Sequence, residues 1–186
     1  MRDQHAEALP LFEKLRELEP HEPAHAINLG NARLACGDAI AATEAFAQAG
    51  RLGGTGIEYW LGYGLANLAS RKFPEAGALL RRAYRAQPEA PDVILAWVQY
   101  LVEMECFEEA HPCLRALNVA GLESMQRRSA AWLLAQCGHE EVALPLFDAC
   151  LDANPDDAAL RECGEVAIRN RRLDERDAFE ASGVLL

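Results

Sequence analysis

The sequence predicts an all-α solenoid in which antiparallel helix pairs stack one after another along the chain. Two observations predict this fold class. A pattern of small and large apolar residues recurs with a period of about 34 residues. Each period also contains two stretches with the i, i+3, i+4, i+7 apolar spacing of amphipathic helices. Helix pairs of this kind bury their apolar faces against neighbouring pairs, so no single central core is expected.

The first recurring series marks the second helix of each pair. An alanine recurs at steps of 34, 34, 34 and 33 residues, and a large apolar residue follows it four positions later. The alanines are Ala8, Ala42, Ala76, Ala110 and Ala143, and the large residues are Phe12, Phe46, Leu80, Leu114 and Phe147. The pentapeptide ALPLF occurs at 8–12 and again at 143–147 because both copies occupy the same place in the repeat. We expect the large residues to fill the space between one pair and the next.

A second series marks the first helix of each pair. Its members are small or modest in size, at spacings of 34, 34 and 33 residues: Gly30, Gly64, Val98 and Ala131. We expect the small members to let the two helices of a pair approach closely. Gly37 and Gly138 suit the turn between paired helices, where a positive φ is needed. Pro23 and Pro91 suit the first helical position, where a missing N–H has no consequence.

The two series together resemble the tetratricopeptide repeat (TPR), a 34-residue unit with the signature W-x2-L-G-x2-Y, then A-x3-F, then P. The unit that carries it most fully contains Trp60, Tyr63, Gly64, Ala76, Leu80 and Pro88. Asn67 replaces the tyrosine of the signature, and Leu122 replaces one of the prolines. The resemblance covers residues 1–157 and implies a right-handed superhelix of antiparallel helix pairs.

The repeat register divides the chain into six segments. The first is the second helix of a truncated unit, four complete units follow, and the last is a degenerate C-terminal capping unit with polar outer faces. The boundaries are 1–22, 23–56, 57–90, 91–123, 124–157 and 158–186. The apolar tail GVLL at 183–186 has no place in this register.

Three prolines fall inside second helices, where an interior proline costs about 3 kcal/mol. Each lies two residues after a register alanine: Pro10, Pro112 and Pro145. We expect these helices to begin close before the alanine, so that the proline lies in or just after the first turn, where few N–H groups have helical partners. The expected first residues are Glu7, Glu109 and Val142. The alternative is a kinked helix, and either arrangement shortens these three helices.

Composition excludes several functional classes. The formal net charge is −11 and the isoelectric point is about 4.9, which argues against nucleic acids and anionic membranes as partners. No apolar run is long enough to insert into a membrane, and the polar start has no signal-peptide core. The six cysteines show neither framework spacing nor a CxxC pair, which predicts reduced thiols and a cytoplasmic protein.

One short stretch of the sequence matches a catalytic motif. Residues 21–25, HEPAH, match the H-E-x-x-H zinc signature, which requires both histidines on one helix. Because Pro23 is expected to begin a helix, His21 is left in the turn before it, and we predict no metal. His5, His111 and His139 are expected to be isolated surface residues. With no nucleophile, phosphate-loop or dinucleotide motif, we predict no cofactor and no enzymatic activity.

The resemblance implies a binding module, since TPR proteins typically hold a peptide or helix of another protein in the concave groove lined by first helices. The register assigns the groove to the faces of first helices that packing leaves free. They are Ile27, Asn31, Leu34, Leu61, Leu65, Leu68, Gln99, Glu103, Arg128, Trp132 and Gln136. The alternative is that several of these apolar side chains pack against each other.

Three functions fit this reading: an interaction scaffold or adaptor, a secretion-type cargo chaperone, and the TPR arm of a larger sulfotransferase or glycosyltransferase whose catalytic domain is absent. A homodimer is a further expectation. The register gives the first unit no first helix, so apolar residues of its remaining helix need another cover. These are Leu9, Leu11, Phe12 and Leu15.

Overall fold

A computed structural model describes the backbone of residues 2–181 and the side chains of residues 6–169. Within that range the chain is α-helical and contains no strand, which confirms the predicted all-α class. The helices are α1 (Arg2–Leu18), α2 (Pro23–Ala35), α3 (Ala39–Arg51), α4 (Ile57–Ala69), α5 (Phe73–Ala86), α6 (Pro91–Glu103), α7 (Phe107–Ala116), α8 (Ser124–Gln136), α9 (Glu140–Ala153) and α10 (Ala158–Ala181), with a 3₁₀ turn at Val119–Gly121.

The chain forms two compact units, Met1–Tyr100 and Leu101–Leu186, with the boundary inside α6. In the first unit α1 packs on α2, α2 on α3, α3 on α4 and α4 on α5. In the second unit α8 packs on α9, and α10 packs on both of them. The predicted repeat segments 23–56 and 57–90 each contain one pair, α2 with α3 and α4 with α5. The boundaries between repeat segments themselves stay a prediction.

Glycines bring the helices of the first unit together. A Cβ atom added to Gly30 would lie 2.8 Å from the Phe46 ring, and one added to Gly62 would lie 2.6 Å from Cζ of the same ring. Phe46 is therefore fully buried between its own partner helix and the next pair. A Cβ on Gly64 would likewise lie 2.6 Å from Leu80 Cδ2. Both expectations, close approach at the small residues and gap filling at the large ones, are confirmed here.

The turn after each first helix repeats with the same period. Four residues adopt a left-handed φ at steps of 34, 34 and 33: Gly37 (88°), Arg71 (58°), Glu105 (57°) and Gly138 (73°). In each case the N–H of the next residue donates to the carbonyl oxygen of the residue five positions before it. Examples are Asp38 N–H to the Arg33 carbonyl at 2.9 Å and His139 N–H to the Leu134 carbonyl at 2.8 Å. This is the Schellman geometry that closes a helix. The two glycines confirm the prediction, whereas Arg71 and Glu105 were not expected.

The proline-containing helices begin earlier than predicted. They start at Arg2, Phe107 and Glu140 instead of Glu7, Glu109 and Val142. Acidic first turns in α7 and α9 explain the early starts, because carboxylates stabilise the positive end of the helix dipole. Pro112 and Pro145 still lie just past the first turn, but Pro10 lies well inside α1.

The predicted shortening is right only for α7, which has 10 residues. The other two have 17 and 14 residues, against 13 in α3 and 14 in α5. At the C-terminal end, the predicted capping segment contains the single 24-residue helix α10. The GVLL tail lies outside the described residues.

Candidate binding site

The predicted groove residues of the first unit differ in exposure. Ile27 and Leu68 are only 9% and 6% exposed, so they belong to the core. Ile27 packs in a cluster with Phe46 and Tyr59, against which Leu34 also rests. The remaining side chains are half-buried at Leu34, Leu61 and Leu65 and exposed at Asn31 and Gln99. Ile27 and Leu68 therefore fit the alternative in which apolar side chains pack in the core. The other five predicted groove residues of this unit retain some exposure.

Asn31 lies against a glycine that sequence reasoning missed. A Cβ atom at Gly62 would lie 2.5 Å from Asn31 Oδ1, so the bare backbone of α4 makes room for the amide of α2. The only signal in the sequence was a second glycine two residues before the register glycine Gly64. An exposed amide on a first helix can bond to a partner's backbone, and half-buried leucines on a first helix, such as Leu61 and Leu65, can contact its side chains.

In the second unit, two predicted groove residues line the same cavity. Trp132 and Gln136 of α8 face a half-open space of about 220 Å³ that is also bordered by Phe147 of α9 and by residues of α10. The α10 residues are Glu162, Cys163, Val166 and Ala167. Trp132 is half-buried and Gln136 is exposed. The cavity therefore combines apolar walls with an amide and a carboxylate.

Arg128, also a predicted groove residue, is held by an ion pair. Its guanidinium donates through Nη1 to Asp157 Oδ2 at 2.7 Å and through Nη2 to Asp157 Oδ1 at 3.3 Å. Asp157 Oδ1 also accepts from the Leu160 N–H, which caps the start of α10. This bidentate pair ties α8 to α10. Glu103, at the end of α6, is exposed.

The expectation that His111 and His139 are isolated is wrong. His111 Nδ1 and His139 Nε2 are 2.8 Å apart, and the two rings meet edge to face. Burial lowers the pKa of His139, and His111 and Arg115 lower it further, whereas Glu140 opposes them. The pair joins α7 to the residue that precedes α9, 28 positions later. Sequence reasoning missed it because this separation is not a repeat period.

The zinc-like stretch is divided as predicted. His21 precedes α2, Pro23 is the first residue of that helix, and His25 lies within it. His25 Nε2 instead contacts Glu19 Oε2 at 2.7 Å. Among the described side chains, no group of three or more His, Cys, Asp or Glu residues is arranged to hold a metal ion. His5 lies outside the described side chains.

The six cysteines are all free, and Cys113 and Cys137 are buried. Cys150 is half-buried. Burial raises the pKa values of the Cys137 and Cys150 thiols. Across the described range, no helix has both the length and the apolar character needed to cross a membrane.

No family model matches the chain. The chaperone protein YscY of Yersinia enterocolitica is 44% identical to it over 54 residues, which are 29% of this chain and 47% of YscY. The YscY of Yersinia pestis gives the same figures. The chain thus spans about half the length of the curated relatives it matches.

Solved structures resemble the chain over most of its length. A thermophilic TPR protein of Thermus thermophilus has a TM-score of 0.70 at 19% identity. The aligned region covers 89% of this chain and 91% of the Thermus chain. YrrB, described as a TPR protein with an unusual peptide-binding site, has a TM-score of 0.55 at 24% identity, and the aligned region covers 87% of this chain and 84% of YrrB. A TPR protein from Parabacteroides merdae has a TM-score of 0.62 at 14% identity, covering 97% and 72%. Together with the repeated helix pairs and turns, these likenesses show that the chain has the fold of the tetratricopeptide-repeat proteins.

Proposed function

We propose that the chain is a non-catalytic interaction scaffold that holds a peptide or helix of a partner protein against the first helices of its repeats. The observation that carries the proposal is the cavity of about 220 Å³ beside Trp132 and Gln136. Two residues assigned to the groove from the repeat register line it, and an indole is a frequent anchor in protein interfaces. YrrB, which shares the fold, is itself described as having a peptide-binding site.

The chemistry of this cavity favours a particular partner side chain. Its walls are formed by Trp132, Phe147 and Val166, and Glu162 stands beside them. An apolar side chain followed by lysine or arginine would fill the space and pair its charge with that carboxylate. The net charge of −11 also favours a basic partner segment, because opposite charges speed encounter.

Photo-cross-linking in the source organism tests the proposal. A photoreactive phenylalanine analogue at Gln136, which is exposed, is expected to capture one partner. The same analogue at Glu108, exposed on the second helix α7, is the matched control and should not capture it. With the captured partner purified, Trp132→Ala is expected to weaken binding by about 30-fold, the loss typical of an interface hot spot. Equal capture at both positions contradicts the proposal.

A chaperone role is the second candidate, favoured by the 44% identity to YscY over 54 residues. A chaperone keeps its client soluble, whereas a scaffold does not alter the solubility of a folded partner. Coexpression of the captured partner with and without this chain separates the two functions. A partner that becomes insoluble without the chain, and is rescued by wild type but not by Trp132→Ala, indicates a chaperone.

Two further proposals concern the oligomeric state and the cellular compartment. The apolar face of α1 is 65% exposed at Leu11, 40% at Leu15 and 69% at Leu18, which supports self-association through this helix. The double variant Leu11→Glu, Leu18→Glu should then be a monomer of unchanged helicity. Sedimentation that shows a monomeric wild-type chain at high micromolar concentration contradicts the proposed self-association.

The cytoplasm is the proposed compartment, supported by the six free cysteines.

A further inference from the structure

A second cavity of the Leu101–Leu186 unit lies where α7 ends early. The repeat register relates α7 to α5, and α5 ends at Ala86, so a regular α7 would reach residue 120. It ends instead at Ala116, and Leu117 adopts an extended conformation before the short 3₁₀ turn. The last turn of a regular helix is therefore missing from this place.

The space left open has a volume of about 160 Å³. Its apolar walls come from α7, the 3₁₀ segment, α8 and α9: Leu114, Leu117, Val119, Leu134 and Val142. A cavity of similar size lined by leucine and other apolar side chains is known to accept a benzene-sized guest. The volume therefore suits an aliphatic group of about five or six carbons.

One side of the cavity is polar. Arg115 and His139 line it together with the apolar residues. Within the described residues Arg115 has no ion pair, so its guanidinium is available for an anion. His139 is bonded through Nε2 to His111 Nδ1. When His111 donates that proton, His139 carries its own proton on Nδ1 and becomes a second donor. A cation beside an apolar space, with a histidine that is a donor in this tautomer, is suited to one carboxylate with an alkyl tail.

We propose that this cavity binds a small aliphatic carboxylate, with Arg115 and His139 receiving the carboxylate and the leucine and valine side chains enclosing the alkyl group. The same chemistry occurs in a free branched-chain acid and in the carboxyl-terminal leucine of a peptide. The site shares no lining residue with the cavity beside Trp132. If this cavity binds no carboxylate, the proposal for the partner site beside Trp132 is unaffected. If that partner site is wrong, the carboxylate proposal is likewise unaffected.

The test is a titration of the full chain with 4-methylpentanoate, followed by NMR at the His139 ring and the methyl groups of Leu117 and Val119. Saturable shifts are expected at all three residues. The matched amide, 4-methylpentanamide, has the same shape without the charge and should bind at least about tenfold more weakly, because hydrogen bonds to a charged group are the stronger ones. No saturable shift, or an equal response to acid and amide, overturns the proposal.

Variants locate the site. Arg115→Gln should weaken binding by about tenfold, whereas Arg81→Gln, the same change one repeat earlier on α5, should leave it unchanged. Val142→Phe, at a partly exposed wall position, should fill the cavity and abolish binding without unfolding the chain. An acid that binds equally to wild type, Arg115→Gln and Val142→Phe overturns the assignment. An acetylated peptide ending in leucine then identifies the source: tighter binding than the free acid indicates a protein carboxyl terminus, and weaker binding indicates a small metabolite.

Discussion

The two compact units use the same repeat register but different residues where helices meet. In Met1–Tyr100, Gly30 and Gly64 leave no room for a methyl group, because Phe46 and Leu80 lie against their backbones. In Leu101–Leu186 the same register position is Ala131, which is fully buried. The helical glycine of this unit, Gly164, lies one residue before a register position, and a Cβ added to it would meet Phe147 at an ordinary 3.7 Å. The register therefore fixes where helices approach, while the size of the facing side chain fixes how closely.

The largest expected effect follows from the tight contacts of the first unit. Gly64→Leu should destabilise the chain by about 1 to 3 kcal/mol or more, since overpacking usually costs that much and Leu80 is fully buried. Thermal unfolding followed by circular dichroism measures the effect, and a fall of several degrees in the midpoint is expected. A midpoint within about a degree of wild type means that the assigned register is wrong.

Gly164→Ala is the comparison substitution in the second unit, at a helical glycine without a tight contact. Here the added methyl group meets Phe147 at van der Waals distance, and alanine is favoured over glycine inside a helix by up to about 1 kcal/mol. The expected result is unchanged or slightly raised stability, against a clear loss for Gly64→Ala. Equal losses at the two positions would remove the contrast between the units.

A smaller effect is expected at the turns. Glu105 adopts a left-handed φ of 57°, which costs a residue other than glycine about 1 to 2 kcal/mol. Glu105→Gly should raise the free energy of unfolding by roughly 0.5 to 1 kcal/mol, because glycine's greater freedom in the unfolded chain offsets part of the gain. Gly37→Ala, at the same place in an earlier repeat, should have the opposite sign in urea unfolding. A loss of stability in Glu105→Gly would contradict the strain assigned to this turn.

The smallest effect concerns pH. The folded second unit lowers the pKa of His139 below its usual 6.5, chiefly through burial and the adjacent His111. The unfolded chain thus binds this proton more readily, so His139 contributes stability above pH 6.5 that is lost as the pH falls below it. His139→Gln should flatten the decline of the unfolding free energy between about pH 7 and pH 5. Gly164→Ala keeps both histidines and should retain the wild-type slope, and an unchanged slope in His139→Gln would contradict this account.

The repeat period allowed much of the fold to be predicted. Alanines at fixed intervals located the second helices, and the fully buried Ala42, Ala76 and Ala143 show why, since only a small side chain fits there. Arg71 and Glu105 were not predicted as left-handed residues, because neither is a residue type that favours this conformation, although the repeat period counted from Gly37 points to both positions.

The candidate site was predictable only in part. The register assigned Trp132 and Gln136 to one helix face, and both line one cavity, but it could not show that α10 would border that cavity. It also assigned Ile27 and Leu68 to the groove, although packing buries both. The early end of α7 and the pairing of His111 with His139 depend on contacts between helices, and neither has a periodic signal in the sequence.

The central claim is that the first helices, not the second helices, hold a partner. NMR titration of the chain with the segment of the partner captured at Gln136 tests it most directly. The account predicts that the largest amide shifts occur on the first helix α8, around Trp132 and Gln136. Shifts confined to the second helices α7 and α9, with Trp132 and Gln136 unaffected, would contradict it.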